Sequence, residues 1–179
     1  MADELTMPRL TAGEFLLRAF DYDDVPLVRA VSADPFIPLI TTVPSNDSLD
    51  EARAYIERQH GRSRTGAGYS FAIALASSDE AVGQIGLWLD NIRHGRASIG
   101  YWIAPTHRRR GIAGAALRAI TEWGLTLPPV ARLELYVEPW NEGSWKTAEA
   151  VGYQREGLLR GWQEIDGLRR DMFMYSRLR

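Results

Sequence analysis

The chain contains no cysteine. Disulfides, thiol nucleophiles and thiolate zinc sites are therefore excluded, and an acyl relay through a protein thioester goes with them. Histidine is scarce. His60, His94 and His107 are the only three, and no two have metal-ligand spacing, so no metal is expected. Charge of one sign is lacking too: 21 basic against 23 acidic residues leave a formal net charge of −2, which argues against a nucleic-acid partner. No apolar run is long enough to span a bilayer, so no membrane partner is expected. The first ten residues include Asp3 and Glu4 and have no apolar signal-peptide core, which makes the cytoplasm the expected location.

What remains is an ordinary globular chain of 179 residues, 45% hydrophobic, long enough to bury a core and carry a pocket without staples. Residues 1–12 are expected to be a flexible N-terminal segment and 13–179 one domain. A strand is expected over 15–20. A helix follows, with Asp21, Asp23 and Asp24 as cap candidates and Pro26 in its first turn. Residues 34–46 hold three prolines and read as a loop. Ser48 and Glu51 have capping-box spacing ahead of a helix that should end near His60-Gly61.

Alternation then predicts strands over 69–76, 81–90 and 96–103, joined by short polar turns as an antiparallel meander. Ile112, Ala116, Ala119, Ile120 and Trp123 form the stripe of a helix over 111–125. A strand over 132–138, a helix over 141–151 closed by Gly152, and a hairpin turning at Asp166-Gly167 complete the chain. The order β-α-α-β-β-β-α-β-α-β-β specifies an α+β fold built on a mixed seven-stranded sheet.

Two segments carry chemistry. In Ile99-Gly100-Tyr101-Trp102-Ile103-Ala104-Pro105 and His107-Arg108-Arg109-Arg110-Gly111-Ile112-Ala113-Gly114, a strand runs into a basic, glycine-containing turn that opens a helix. Free amides at a helix N-terminus attract anions, and small residues let a pyrophosphate approach the backbone. The final Gly-Lys-Ser/Thr of a Walker loop is missing, and Arg109 displaces the first glycine of a dinucleotide fingerprint. The second segment is Asn141-x-x-Ser144 at the start of the next helix, where Asn141 also suits an N-cap.

Arg108-x-x-Gly111-x-Ala113 resembles the acetyl-CoA signature of the GNAT superfamily of N-acyltransferases. Asn141-x-x-Ser144, Ala148-Glu149, Gly152-Tyr153 and Glu156-Gly157 follow in the order of its RimJ/RimL branch, the ribosomal-protein N-terminal acetyltransferases and their relatives. The resemblance covers about 13–178. It implies a mostly antiparallel sheet with flanking helices, in which strands four and five splay apart to admit the pantetheine of acetyl-CoA. Trp102, Ile103 and Ala104 would pair with the pantetheine. Arg108, Arg109, Arg110, Gly111, Ile112, Ala113 and Gly114 would hold the pyrophosphate, and Asn141 would also bond the pantetheine.

Ser144 matches the branch's general acid; the tyrosine that other branches place seven residues after the asparagine is Ala148 here. The branch's glutamate, nineteen residues past the serine, falls on Gln163, and a glutamate common on strand four falls on Ser98. Glu164 and Asp166 are then the candidates for the base, and Trp162 for a wall of the acceptor pocket. The implied reaction is direct attack of an amine on acetyl-CoA in a ternary complex. The acceptor is a protein N-terminus or a small-molecule amine such as an antibiotic, polyamine or amino acid. A non-catalytic acyl-CoA-binding protein is a third reading. The oligomeric state is open, with a homodimer among the options.

Overall fold

The computed structural model describes residues 4–179. Its eight strands are β1 (Leu10–Ala12), β2 (Phe15–Arg18), β3 (Gly68–Leu75), β4 (Ala81–Trp88), β5 (Arg96–Ile103), β6 (Arg132–Val137), β7 (Gln154–Ile165) and β8 (Leu168–Leu178). They form one sheet in the order β1-β2-β3-β4-β5-β6-β8-β7. Every pairing is antiparallel except β5 with β6. That exception creates the site. β5 and β6 stay paired only at Arg96↔Arg132, Ala97↔Leu133 and Ser98↔Glu134, and beyond Ser98 they part. These are the strands expected as four and five. The short β1 shifts the numbering by one and makes eight strands where seven were expected. It lies within the stretch assigned to a flexible segment over 1–12; of that stretch, residues 1–3 fall outside the described residues.

Helices cover both faces. α4 (Ile112–Gly124) buries Ile112, Ala116, Leu117 and Ile120 against Ile85, Leu87, Ile99, Leu133 and Leu135. α1 (Val25–Val31) and α3 (Leu49–Arg64) bury Val28, Ala52, Tyr55 and Ile56 with Phe20, Ala72 and Trp102 in a second core. Within the expected loop over 34–46, Ile37–Ile40 forms a single helical turn, α2, capped by Asp34, whose Oδ1 accepts from Phe36 N (2.9 Å) and Ile37 N (2.8 Å). α3 runs past the expected stop at Gly61 to Arg64. A lone glycine costs a helix only about 1 kcal/mol, and the reversal comes at Gly66, where φ is +71°. This extension carries Arg62 into the structure described below. Half of the expected capping box forms: Ser48 Oγ accepts from Glu51 N (3.4 Å), while the Glu51 carboxylate accepts from Asn46 instead.

α5 (Glu142–Ala150) starts at Asn141, whose Oδ1 accepts from Ser144 N (3.2 Å). It closes in a Schellman pair, Gly152 N to Glu149 O and Tyr153 N to Ala148 O. Asp166 (φ +52°) and Gly167 (φ +71°) make the expected two-residue turn. β7 starts at Gln154, earlier than expected, because register shifts at Arg155/Gly157 and Leu159/Gln163 interrupt its alternation.

Candidate active site

The gap between β5 and β6 opens into two cavities. One, of about 440 Å³, runs along Trp102, Ile103, His107 and Arg109 to the start of α4 and α5. The other, of about 590 Å³, extends toward α3, β4 and the β7–β8 hairpin. Phe36, Ile40, Tyr101, Asn141 and Ser144 line both, so the cavities meet there.

The first cavity ends in a cradle of main-chain donors. The first α4 bond is Ala115 N to Gly111 O (3.0 Å), so the amides of Ile112, Ala113 and Gly114 precede the intrahelical ladder, and no side chain caps them. Arg109 (φ +62°) and Gly111 (φ +76°) are both left-handed. A left-handed arginine costs about 1–2 kcal/mol, a strain of the kind held at ligand-binding turns. A Cβ at Gly111 would meet no protein atom within 4 Å, so the space before the cradle is open to a ligand.

Splaying supplies the second set of donors and acceptors. Ala104 N bonds to Val82 O (2.9 Å) on the β4 side. Strand alternation therefore commits the main chain of Trp102 and Ala104 to β4 and turns that of Tyr101 and Ile103 toward the gap. The main chain of Trp102 and Ala104, expected to offer bonds to a pantetheine, is thus directed to β4 instead, while the Trp102 side chain lines the first cavity and the main chain of Ile103 faces the gap. Arg108 lines the first cavity and also has protein partners. Its Nη2 bonds to Asp34 Oδ2 (2.7 Å) and its Nε to Ile103 O (3.1 Å), which ties α2 to the end of β5. Burial alone would raise the Asp34 carboxyl. The amides of Ile37 and Phe36 and the Arg108 guanidinium outweigh it and hold the group below the usual carboxylate range.

Ser144 stands where the cavities join. Its Oγ lies 3.0 Å from the Tyr101 hydroxyl. Burial raises the Tyr101 phenol above its ordinary value, so at neutral pH it keeps its proton and can donate to Ser144 Oγ, freeing the serine proton for another acceptor. The tyrosine missing at position 148 is thus replaced near the serine by one from β5.

Glu164 is not brought to the site. Gln163 and Ile165 line the larger cavity, and Glu164 between them turns outward, 63% exposed and 4.0 Å from Arg169. Period-two alternation decides this. Asp166 is exposed in the hairpin turn. Trp162 is half exposed and stacks on Tyr136, with ring centroids 5.7 Å apart, so it backs the cavity wall.

The buried carboxylate that faces the cavity is Glu138, just past the end of β6 and 7% exposed; Asp90, also on its lining, is exposed. Its nearest cation is Arg170 Nε at 3.9 Å, itself without a hydrogen-bond partner, and neither Glu138 oxygen accepts a hydrogen bond from a described residue. Nothing in the local sequence singles it out, because its role depends on where β6 leaves β5.

A parallel pair that splays in front of an amide-lined turn, with a hydroxyl at the junction of two cavities, defines an acyl-CoA-dependent transferase of the GNAT class. The Acetyltransferase (GNAT) domain family matches residues 14–154, and the chain belongs to it. The chain is 28% identical over 173 residues, 97% of both sequences, to "Uncharacterized N-acetyltransferase p20" of Bacillus licheniformis. Mycobacterium smegmatis RimJ, solved with a CoA disulfide, is 26% identical with a TM-score of 0.81, over 99% of this chain and 90% of RimJ. The microcin C7 self-immunity acetyltransferase MccE, solved with acetyl-CoA and AMP, shares the fold at a TM-score of 0.83 and 20% identity, over 98% and 99% of the two chains. The protein is an acetyl-CoA-dependent N-acetyltransferase of the GNAT family, with RimJ among its structural neighbours. No described helix is long and apolar enough to cross a membrane.

Proposed function

We propose that the acceptor is an α-amine, as at a peptide or protein N-terminus, and that it attacks acetyl-CoA directly while both are bound. The observation that carries this reading is the meeting of the two cavities at Tyr101, Asn141 and Ser144. The amides of residues 109–114 take the pyrophosphate, and the main chain of Ile103 and Tyr101 takes the pantetheine along the open edge of β5. The Asn141 side chain uses its oxygen as the α5 cap, leaving its NH₂ for the ligand. The amine enters through the larger cavity past Glu138.

As the nitrogen attacks the thioester carbon, a C–N bond forms and the carbonyl oxygen gains charge, which a main-chain N–H of β5 stabilises. The C–S bond then breaks. The amine proton passes to Glu138, directly or through one water, and Ser144 donates to the leaving thiolate. Protonation favours an α-amine. Its pKa of about 8 makes the neutral form cost about 1.4 kcal/mol at pH 7, whereas a lysine at about 10.4 costs about 4–5 kcal/mol.

The test is CoA thiol release at pH 7 from two matched peptides, one with a free α-amine and one with that amine blocked and a lysine present. The α-amine peptide should react faster. A faster rate on the blocked lysine peptide would overturn the assignment.

A further inference from the structure

The larger cavity contains a cation that no reaction step uses. Arg62, in the last turn of α3, lines it. None of the described acidic side chains lies within ion-pair distance of Arg62, and its Nε is shielded from solvent with no hydrogen-bond partner. The guanidinium lies over the Trp88 ring, 4.5 Å from its centroid.

That platform is built by the sheet. Gly86 on β4 and Gly100 on β5 face each other in register. A Cβ at Gly86 would sit 2.2 Å from the Trp88 ring and one at Gly100 3.5 Å from its Nε1. The two glycines therefore clear a flat bed across two strands, the indole lies on it, and the arginine stacks on the indole. The indole holds the guanidinium from one side while its two Nη groups, which no described residue takes up, remain as the pair of donors that grips a carboxylate or phosphate in two places. The flanking polar groups are neutral: Gln84 Nε2 donates to Ser70 Oγ (3.1 Å), which donates to Gln59 Oε1 (3.0 Å). Asp90 also lines the cavity but is exposed and more than 4 Å from Arg62.

Resting on the acceptor reading above, we infer that Arg62 is a specificity residue for an anionic group carried by the acceptor. The substrate class is then an α-amine whose own molecule bears a carboxylate or phosphate, with the amine toward Glu138 and the anion on Arg62. A buried carboxylate and an unpaired guanidinium on the lining of one cavity orient such a molecule. A polyamine would find no partner at Arg62 and would be repelled by it.

The test uses short peptide amides with alanine at the N-terminus, in pairs that differ only in charge at the second or third residue: aspartate against asparagine, and phosphoserine against serine. Thiol release gives kcat/KM, and calorimetry on the CoA-saturated protein gives affinity. The wild type should prefer the anionic member of at least one pair by tenfold or more, mainly through KM, and the pair that shows it identifies the source of the charge. Arg62→Met, which keeps the stem on Trp88, should abolish the preference, and Arg62→Lys should restore part of it. Equal kcat/KM and equal affinity within every pair, or a preference that survives Arg62→Met, would overturn the inference. Acetyl-CoA affinity, measured in the same samples, separates the failures. Absent acetyl-CoA binding counts against the enzyme reading, whereas equal pairs on a protein that binds acetyl-CoA count against Arg62 alone.

Discussion

In the proposed reaction Ser144 and Glu138 act on opposite ends of one proton balance, and their substitutions should differ in kind. Ser144→Ala is expected to lower kcat by about tenfold to a hundredfold, within the range of a positioned acid, with acetyl-CoA affinity little changed. Steady-state kinetics and a direct titration check this; kcat within about twofold, with chemistry rate-limiting, would make Ser144 an ordinary first-turn serine. Tyr101→Phe removes the hydroxyl 3.0 Å from Ser144 Oγ and should give a smaller loss in the same parameter. Glu138→Gln should lower kcat by about a hundredfold at pH 7, with the rate then rising more steeply with pH as the free amine replaces the base; an unchanged pH profile would remove Glu138 from proton transfer. The place of Ser144 at the junction of the cavities was legible in the sequence, because it follows from Asn141 three residues earlier at the start of the same helix. Glu138, Tyr101 and Arg62 were not, since a lone glutamate, tyrosine or arginine gains meaning only when a distant strand or helix faces it. Glu164 was misplaced for a related reason: a count along the chain does not fix which side of β7 a residue faces when that strand carries two register shifts.

Among the elements, the turn before α4 was readable, because glycine, arginine and proline positions mark a turn regardless of what packs on it, whereas the parting of β5 from β6 came only as an implication of the family resemblance. The use of each residue there was less readable. Arg108 belongs to the motif, yet its side chain secures the buried Asp34, 4% exposed. Arg108→Met should therefore destabilise the fold by about 1–3 kcal/mol, as expected when a buried carboxylate loses a charged partner. It should also loosen Phe36 and Ile40, which line both cavities. Thermal unfolding with and without CoA checks this; an unchanged melting temperature would show the pair to be dispensable. Gly111→Glu places a side chain and a negative charge in the open cradle, on a backbone at φ +76°. Acetyl-CoA affinity should fall by at least tenfold in calorimetry with the fold intact. Unchanged affinity would remove the cradle from the cofactor site.

At the scale of the whole molecule, the sheet is held across its C-terminal half by charge as well as by core. Arg132 on β6 bonds both oxygens of Glu156 on β7 (2.8 and 2.6 Å). The Arg132 hydrogen bonds, and then that of Ser176, push the Glu156 carboxyl down to about 2 from 4.5. The folded value lies below the unfolded one, so this contribution is complete above about pH 4.5 and is lost as pH falls toward 2. Glu156→Gln should flatten the decline of stability in that window, by a modest amount because Glu156 is 42% exposed. Denaturant melts at pH 5 and pH 3 check it. The central claim concerns the same whole: donor and acceptor occupy two cavities that meet, and the amine attacks while both are bound. Initial rates of thiol release over a grid of acetyl-CoA and α-amine peptide concentrations test this most directly. The account predicts intersecting double-reciprocal lines and no thiol burst when the acceptor is omitted. Parallel lines with a stoichiometric burst would mean an acetylated protein intermediate and would contradict it.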